Sequence, residues 1–259
     1  MTLDGVSGDV SPKDRFLTVY GRKPVLEALN DRDLQVDKVV LAEGARGSAV
    51  DEIKEAAADR AVRVHRASAH RVKVLAGNGR HDQGVLADVT AKRMRPLDDV
   101  LAEPATAPRS VLLLDGLTTP GNVGMILRTA TAAGIGGIVV PHHGVATLDP
   151  LVVKASAGVA FHAPVLRTQT APEAAEALTE AGYALYSLDS GAEHSLFDAD
   201  LGGRCAFVLG SESKGLSEEV RARIAERLLI PMSGEVESVN VASAAAVLSF
   251  ELMRRNIAA

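Results

Sequence analysis

The sequence is poor in aromatic residues, which make up 3% of its 259 positions, and it has no Trp. A core without them is filled by Val, Leu, Ile and Ala. That suits short aliphatic strands covered by Ala/Leu helices, an α/β architecture. Cysteine is nearly absent too. Cys205 alone forms no internal disulfide, and no zinc-type spacing exists. A reducing, cytoplasmic setting and no metal site are therefore expected. No apolar run reaches the roughly 18 residues that span a bilayer, so no membrane partner is expected. The first residues, MTLDGVSGDVSPKD, lack the basic and apolar regions of a signal peptide. Residues 1–15 read as disordered. What is present is an ordinary globular composition, 47% hydrophobic and 24% charged.

An overall basic excess is missing as well: the net charge is −5. Its distribution carries more information than its sum. Residues 60–95 hold nine Arg/Lys against two acids, Asp82 and Asp88. Phosphate binding needs only a local field, so one basic segment on an acidic chain suffices. Arg63, Arg66, Arg71, Lys73 and Arg80 are the candidate RNA contacts. A solvated face with Arg stems over apolar surface is the competing reading.

Periodicity divides the chain in two. Residues 16–90 read as a small α/β domain, with helices at 22–30, 48–59 and 68–75. Strands are expected at 37–42, 62–65 and 84–90, the second half-buried. Ser48 is the expected cap of the second helix. Residues 91–108 carry three prolines and read as a linker with one helical turn. Residues 109–259 form a second unit. It has strands at 111–116, 137–140, 164–166, 183–188, 205–209 and 228–231. Helices are expected at 122–133, 149–157, 172–181, 217–226 and 240–257. Such repetition argues for a mostly parallel sheet.

Three segments of the second unit break the apolar pattern with Gly, Pro and polar residues, each after a strand. Ligands in parallel α/β sheets sit beyond the carboxyl ends of strands. The first segment is TTPGNVGMILRTA, 118–130, where Asn122 is either a helix cap or a site residue. Arg128, among Ile, Leu, Thr and Ala, needs a partner or a function. The second is VLGSESKGLS, 208–217. Its glycines let backbone approach a ligand, but the Gly-Lys-Ser/Thr ending of a P-loop is missing. The third is LLIPMSGEVESVNVASAAA, 228–246, where Ser238 or Asn240 either caps the last helix or serves the site.

Other chemistry is weakly signalled. Ser211 to Lys214 matches Ser-x-x-Lys without the companion motifs of acylating enzymes. His142 and His143 are adjacent, so they share no helix face, and they read as loop histidines.

Together the three segments resemble the motifs of the SpoU/TrmH family, in the SPOUT superfamily of RNA methyltransferases. The residues that carry the resemblance are N122-V-G-M-I-L-R128-T-A, GSESKGL at 210–216 and IPMSGEVESVNV at 230–241. Residues from Tyr20-Gly21 to Gln83-Gly84-Val85 resemble that family's substrate-binding domain. Ser213 stands where Gly is usual, Val239 where Leu is usual, and Ala242 where many members have Ser. Asp82 separates His81 from Gln83-Gly84.

The resemblance implies a C-terminal α/β knot, trefoil-knotted around a mostly parallel sheet, beside a smaller N-terminal RNA-binding α/β domain. It implies a homodimer whose active sites draw on both subunits, and S-adenosyl-L-methionine as cofactor. Gly210, Ile230 and Val239 would bind the cofactor through backbone, with Leu209 and Met232 walling the adenine. The reaction would methylate a ribose 2′-hydroxyl, most simply of 23S ribosomal RNA. A tRNA substrate, an antibiotic-resistance methylation and a non-catalytic ribosome-assembly role are the alternatives. The family's arginine has been proposed as general base. Guanidinium, with a pKa above about 12, stays charged. Arg128 is therefore read as a clamp on phosphate or ribose that stabilises developing alkoxide. Asn122, Ser238 and Asn240 would orient it and the hydroxyl, and Glu212 would orient the arginine.

Overall fold

The computed structural model describes residues 15–76, 82–234 and 236–258. Within it the chain separates into two compact units, dividing between Lys92 and Arg93.

The first unit runs β1 (Phe16–Tyr20), α1 (Arg22–Asn30), β2 (Gln35–Ala42), α2 (Ser48–Asp59), β3 (Arg63–Ala67), α3 (Ala69–Ala76) and β4 (Val85–Thr90). Its four-stranded sheet has the order β1-β4-β2-β3 and is mixed: β4 is antiparallel to β1 and β2, while β3 is parallel to β2. Alternation along the strands gives two apolar faces. Val40, Ala42 and Leu86 on one face pack with Val72 and Ala76 of α3. Arg60, just past α2, donates hydrogen bonds to the carbonyls of Ala28, Leu29, Asp31 and Leu34. It satisfies the exposed carbonyl end of α1, which is a structural duty for one of the nine basic residues.

Two expectations differ here, and one strand is not among those expected. Gly47, not Ser48, precedes the second helix, and no side chain caps it. Strand β1 lies before the first expected element, the helix at 22–30. The strand expected to be half-buried, β3, is an edge strand with four of its five residues exposed. Alternating Arg and Val imitate amphipathic spacing, but of the five side chains only Ala67 packs against the core of the unit. The disorder read for residues 1–15 falls outside the described residues except at Arg15, and Arg80 and His81 also lie outside them.

The second unit begins inside the expected linker. Residues Arg95–Pro96 form β5, paired with a later strand, and α4 (Leu97–Leu101) follows. Leu97 and Val100 are buried in the core of this unit. The prolines suggest a connector, yet Pro96 stands at the edge of the sheet, where its missing N–H costs nothing. The order then runs β6 (Ser110–Leu114), α5 (Pro120–Ala132), β7 (Gly137–Pro141), α6 (Pro150–Ala155), a 3-10 turn at Val159–Phe161, and β8 (Val165–Thr168). After these come α7 (Ala171–Glu180), β9 (Tyr183–Leu188), β10 (His194–Ser195), β11 (Arg204–Leu209), α8 (Glu218–Arg221), β12 (Glu226–Leu229) and α9 (Val241–Ala258). The helix expected over 217–226 is only the four residues of α8. Strand β12 takes up residues from Glu226 onward.

All eight strands are parallel, in the order β10-β12-β9-β11-β6-β7-β8-β5. Core residues Val111, Leu113 and Val208 face α4, α7 and α8. Helices α5 and α9 pack against each other. The chain winds outward from β6 through β7 to β8, then resumes at β9 on the other side, leaving room for β11 between. This reversal puts a topological switch point beside β6 and β11.

Candidate active site

Strands β6 and β11 are neighbours, so the loops after them meet. Asn122 follows β6 and Glu212 follows β11. Asn122 is not a cap: α5 begins at Pro120, whose fixed φ suits a first helical position. Asn122 is its third residue and is 8% exposed. Asn240 just precedes α9 and does two things. Its Oδ1 accepts from Ala242 N at 2.9 Å, capping the helix. Its Nδ2 donates to Glu212 Oε1 at 2.7 Å and to Asn122 Oδ1 at 3.1 Å. Glu212 Oε1 also accepts from Val241 N at 3.3 Å and Asn122 Nδ2 at 3.5 Å. One carboxylate thus gathers groups from all three polar segments.

The glycines explain how the segments come so close. A Cβ on Gly124 would lie 2.5 Å from Ala155 Cβ and 2.7 Å from the Val152 carbonyl. Only glycine lets α5 approach α6 this closely. A Cβ on Gly210 would lie 2.7 Å from the Gly215 carbonyl carbon. Gly215 has φ +67° and is bridged to Ser211 by two backbone hydrogen bonds. The 210–216 segment is therefore a tight ring rather than an open loop.

Beside this ring lies a cleft of about 840 Å³, bounded by the ends of β9, β11 and β12. Leu209, Gly210, Ile230, Met232 and Val239 line it, as do Glu212 and Ser238. Met232 and Val239 are exposed apolar side chains at its wall. Three residues expected at the site, Asn122, Asn240 and Arg128, do not line the cleft. Asn122 and Asn240 join it through their hydrogen bonds to Glu212. Arg128 is elsewhere: six residues beyond Asn122 on α5, about 9 Å at helical rise. It is exposed and makes no hydrogen bond or ion pair among the described residues. The charged far end of the cleft, Asp189 paired with Arg227 at 3.1 Å, carries no motif by which the sequence would reveal it.

The remaining candidates fall as follows. Arg63, Arg66, Arg71 and Lys73 are all exposed on β3 and α3. His142 and His143 lie on the loop after β7, as expected, and His142 Nδ1 lies 2.6 Å from Nη2 of the buried Arg167. Burial pushes the Cys205 thiol above its ordinary pKa, which disfavours the reactive thiolate. Among the described residues no three His, Cys, Asp or Glu are grouped to hold a metal ion. No described helix is long and apolar enough to cross a membrane.

A parallel α/β unit with a cleft beyond the ends of β9, β11 and β12, next to its switch point, and a small mixed-sheet unit with a basic edge define a ligand-binding class of protein. Residues 109–250 match the SpoU rRNA Methylase family, and residues 18–95 match the RNA 2′-O ribose methyltransferase substrate binding family. The chain belongs to the SpoU methylase family. A 23S rRNA (guanosine-2′-O-)-methyltransferase of Xanthomonas axonopodis pv. citri is 36% identical over 89% of this chain and 92% of its own length. A putative TrmH family tRNA/rRNA methyltransferase of Staphylococcus aureus is 32% identical over 92% of this chain and 95% of its own. Among solved structures, the SpoU methyltransferase AviRb of Streptomyces viridochromogenes, in complex with AdoMet, is 26% identical. It superposes with a TM-score of 0.65 over 93% of this chain and 91% of its own.

Proposed function

We propose that this chain methylates the 2′-hydroxyl of a guanosine ribose in 23S rRNA, in the cytoplasm, using S-adenosyl-L-methionine. The observation that carries the reading is the convergence of Asn122, Glu212 and Asn240 at the rim of a cleft walled by Leu209, Ile230, Met232 and Val239. A cleft of about 840 Å³ with apolar walls and a polar rim suits a nucleoside-bearing cofactor. Leu209 and Met232 would flank the adenine, and the backbone of Gly210, Ile230 and Val239 would hold its polar edge. Bound there, the cofactor supplies an activated methyl group.

The chain's own task is to present a hydroxyl that is barely ionised at neutral pH. Glu212 fixes Asn122 and Asn240, and Ser238 on the same rim helps orient the ribose. Arg128 clamps the target phosphate or ribose and stabilises the developing alkoxide. It does so in the site of a second copy. On α5, Met125 and Arg128 share an exposed stripe. On the adjoining α9, Val247 and Phe250 are exposed at 37% and 49%. An apolar face around an unpaired cation is suited to a copy of the same chain, whose cleft offers Glu212. The knotted crossing of the family would thread residues 208–241. The basic edge of the first unit, Arg63, Arg66, Arg71 and Lys73, would bind the RNA backbone.

Mass-spectrometric mapping of ribose methylation in rRNA and tRNA, from cells with and without the protein, tests the substrate. Loss of one 23S guanosine methylation is expected; loss confined to tRNA overturns the assignment. Arg128→Ala is expected to abolish transfer while S-adenosylmethionine binding, followed by calorimetry, stays near wild type. Full turnover in that variant removes the role given to Arg128.

A further inference from the structure

The 210–217 ring carries both Gly210 at the cleft and Glu212 at the polar cluster, so whatever fixes it governs both. Its own bonds close it on itself but do not attach it to the sheet. Leu216 packs against the core of the unit, and the polar attachment is made by Asp115, the residue after β6, which is only 6% exposed. Asp115 N donates to Leu209 O at 2.9 Å, at the start of the ring. Asp115 Oδ2 accepts from Ser217 N at 2.7 Å and from Ser217 Oγ at 2.9 Å, at its end. Gly116, with φ +71°, turns the chain beneath the ring, where its Cβ would stand 3.5 Å from Ser211 Cβ.

Ser217 supplies an independent sign. It precedes α8, and serine there ordinarily caps the helix with its hydroxyl. No such cap bond forms. The hydroxyl is turned to Asp115 instead. A buried carboxylate receiving two hydrogen bonds from one residue is a strong attachment.

We infer that Asp115 is a positioning residue, the latch that holds the cofactor ring to the end of β6, the strand that leads into α5 and Asn122. The inference rests on the cleft being the S-adenosylmethionine site. The latch acts through acceptor geometry: a single oxygen takes both bonds, and the Oδ1 of asparagine can occupy the same place.

The test uses the full chain as wild type, Asp115→Ala, Asp115→Asn and Ser217→Ala. Three quantities are measured: amide hydrogen exchange across 211–217, S-adenosylmethionine affinity by calorimetry, and thermal midpoint. Asp115→Ala is expected to speed exchange of the ring amides and weaken binding by about tenfold to a hundredfold, as for removal of a bond to a charged group. Asp115→Asn should restore both to within about threefold. Ser217→Ala keeps the backbone bond and should lose only about threefold in affinity. A purely structural aspartate would lower the midpoint without this rescue pattern. Unchanged ring exchange in Asp115→Ala, or in Ser217→Ala should the first not fold, overturns the latch. So does an Asn variant as impaired as Ala. If wild type binds no S-adenosylmethionine, the cleft assignment fails, and ring exchange still decides the latch.

Discussion

Two glutamates do opposite work in the second unit, one at the site and one in the scaffold. Glu212 is exposed, and its single Oε1 gathers Asn122, Asn240 and the Val241 amide. Removing it leaves the buried Asn122 amide without that acceptor. Glu212→Ala should therefore cost methyl transfer at least about tenfold, with Glu212→Gln intermediate because it keeps one oxygen. Single-turnover transfer at saturating cofactor measures this; equal rates in the three proteins would dismiss the cluster. Glu251, on α9, is 7% exposed and pairs with Arg254 at 2.8 Å and Arg255 at 2.7 Å. Arg255 in turn donates to the carbonyls of Leu196, Phe197 and Ala199, anchoring that segment to α9. The hydrogen bond from Arg254, with Arg255 adding to it, holds the Glu251 carboxyl down at about 2, against an ordinary 4.5. The depressed value means its contribution is complete above pH 4.5 and disappears as pH falls toward 2. Glu251→Gln should lower the thermal midpoint clearly near neutral pH, with the gap to wild type closing below about pH 3. A pH-independent gap would show that packing, not charge, sets the loss.

At the scale of elements, the site depends on how closely α5 and α6 approach. Gly124→Ala places a methyl 2.7 Å from the Val152 carbonyl, which is main chain and cannot simply turn away. The expected cost is about 1–3 kcal/mol, with α5 displaced and Asn122 carried off Glu212. Denaturant unfolding and transfer rate should fall together; an unchanged midpoint would mean α6 shifts freely. Such close approaches mark the limit of what the sequence tells. Helices α1 and α2 are legible to the residue, because apolar spacing and breakers agree over 22–30 and 48–59. The three polar segments are legible because each interrupts an aliphatic strand pattern. Strand β5 and helix α4 are not, since Pro96 and Pro104 dominate a stretch whose burial comes from pairing with a distant strand, β8. The exposure of β3 escapes the pattern because alternation reports spacing, not whether a second layer exists. Asp115 is invisible for a related reason: its partner Ser217 lies 102 positions away.

For the whole molecule, the acidic net charge and a basic edge imply binding to RNA that is local and sensitive to salt. Replacing Arg63, Arg66, Arg71 and Lys73 by Gln should weaken rRNA binding and reduce the salt slope by about one for each phosphate no longer neutralised. Retention of the full slope would move the RNA surface elsewhere. The proposed second copy makes a sharper demand. Arg128 stands outside the cleft of its own chain, while Glu212 lines that cleft. If the working site joins Arg128 of one chain to Glu212 of another, two inactive variants can repair each other. Arg128→Ala and Glu212→Ala chains, unfolded and refolded together in equal amounts, should yield mixed dimers holding one intact site. Random pairing makes half the dimers mixed, so activity should recover to about one quarter of wild type. If both residues act within one chain, no mixed dimer holds an intact site and activity stays at the level of the separate variants. Phe250→Glu, which charges the apolar stripe of α9, should prevent both association and recovery while each cleft still binds S-adenosylmethionine. Sedimentation and transfer assays on the same mixtures read the two consequences side by side.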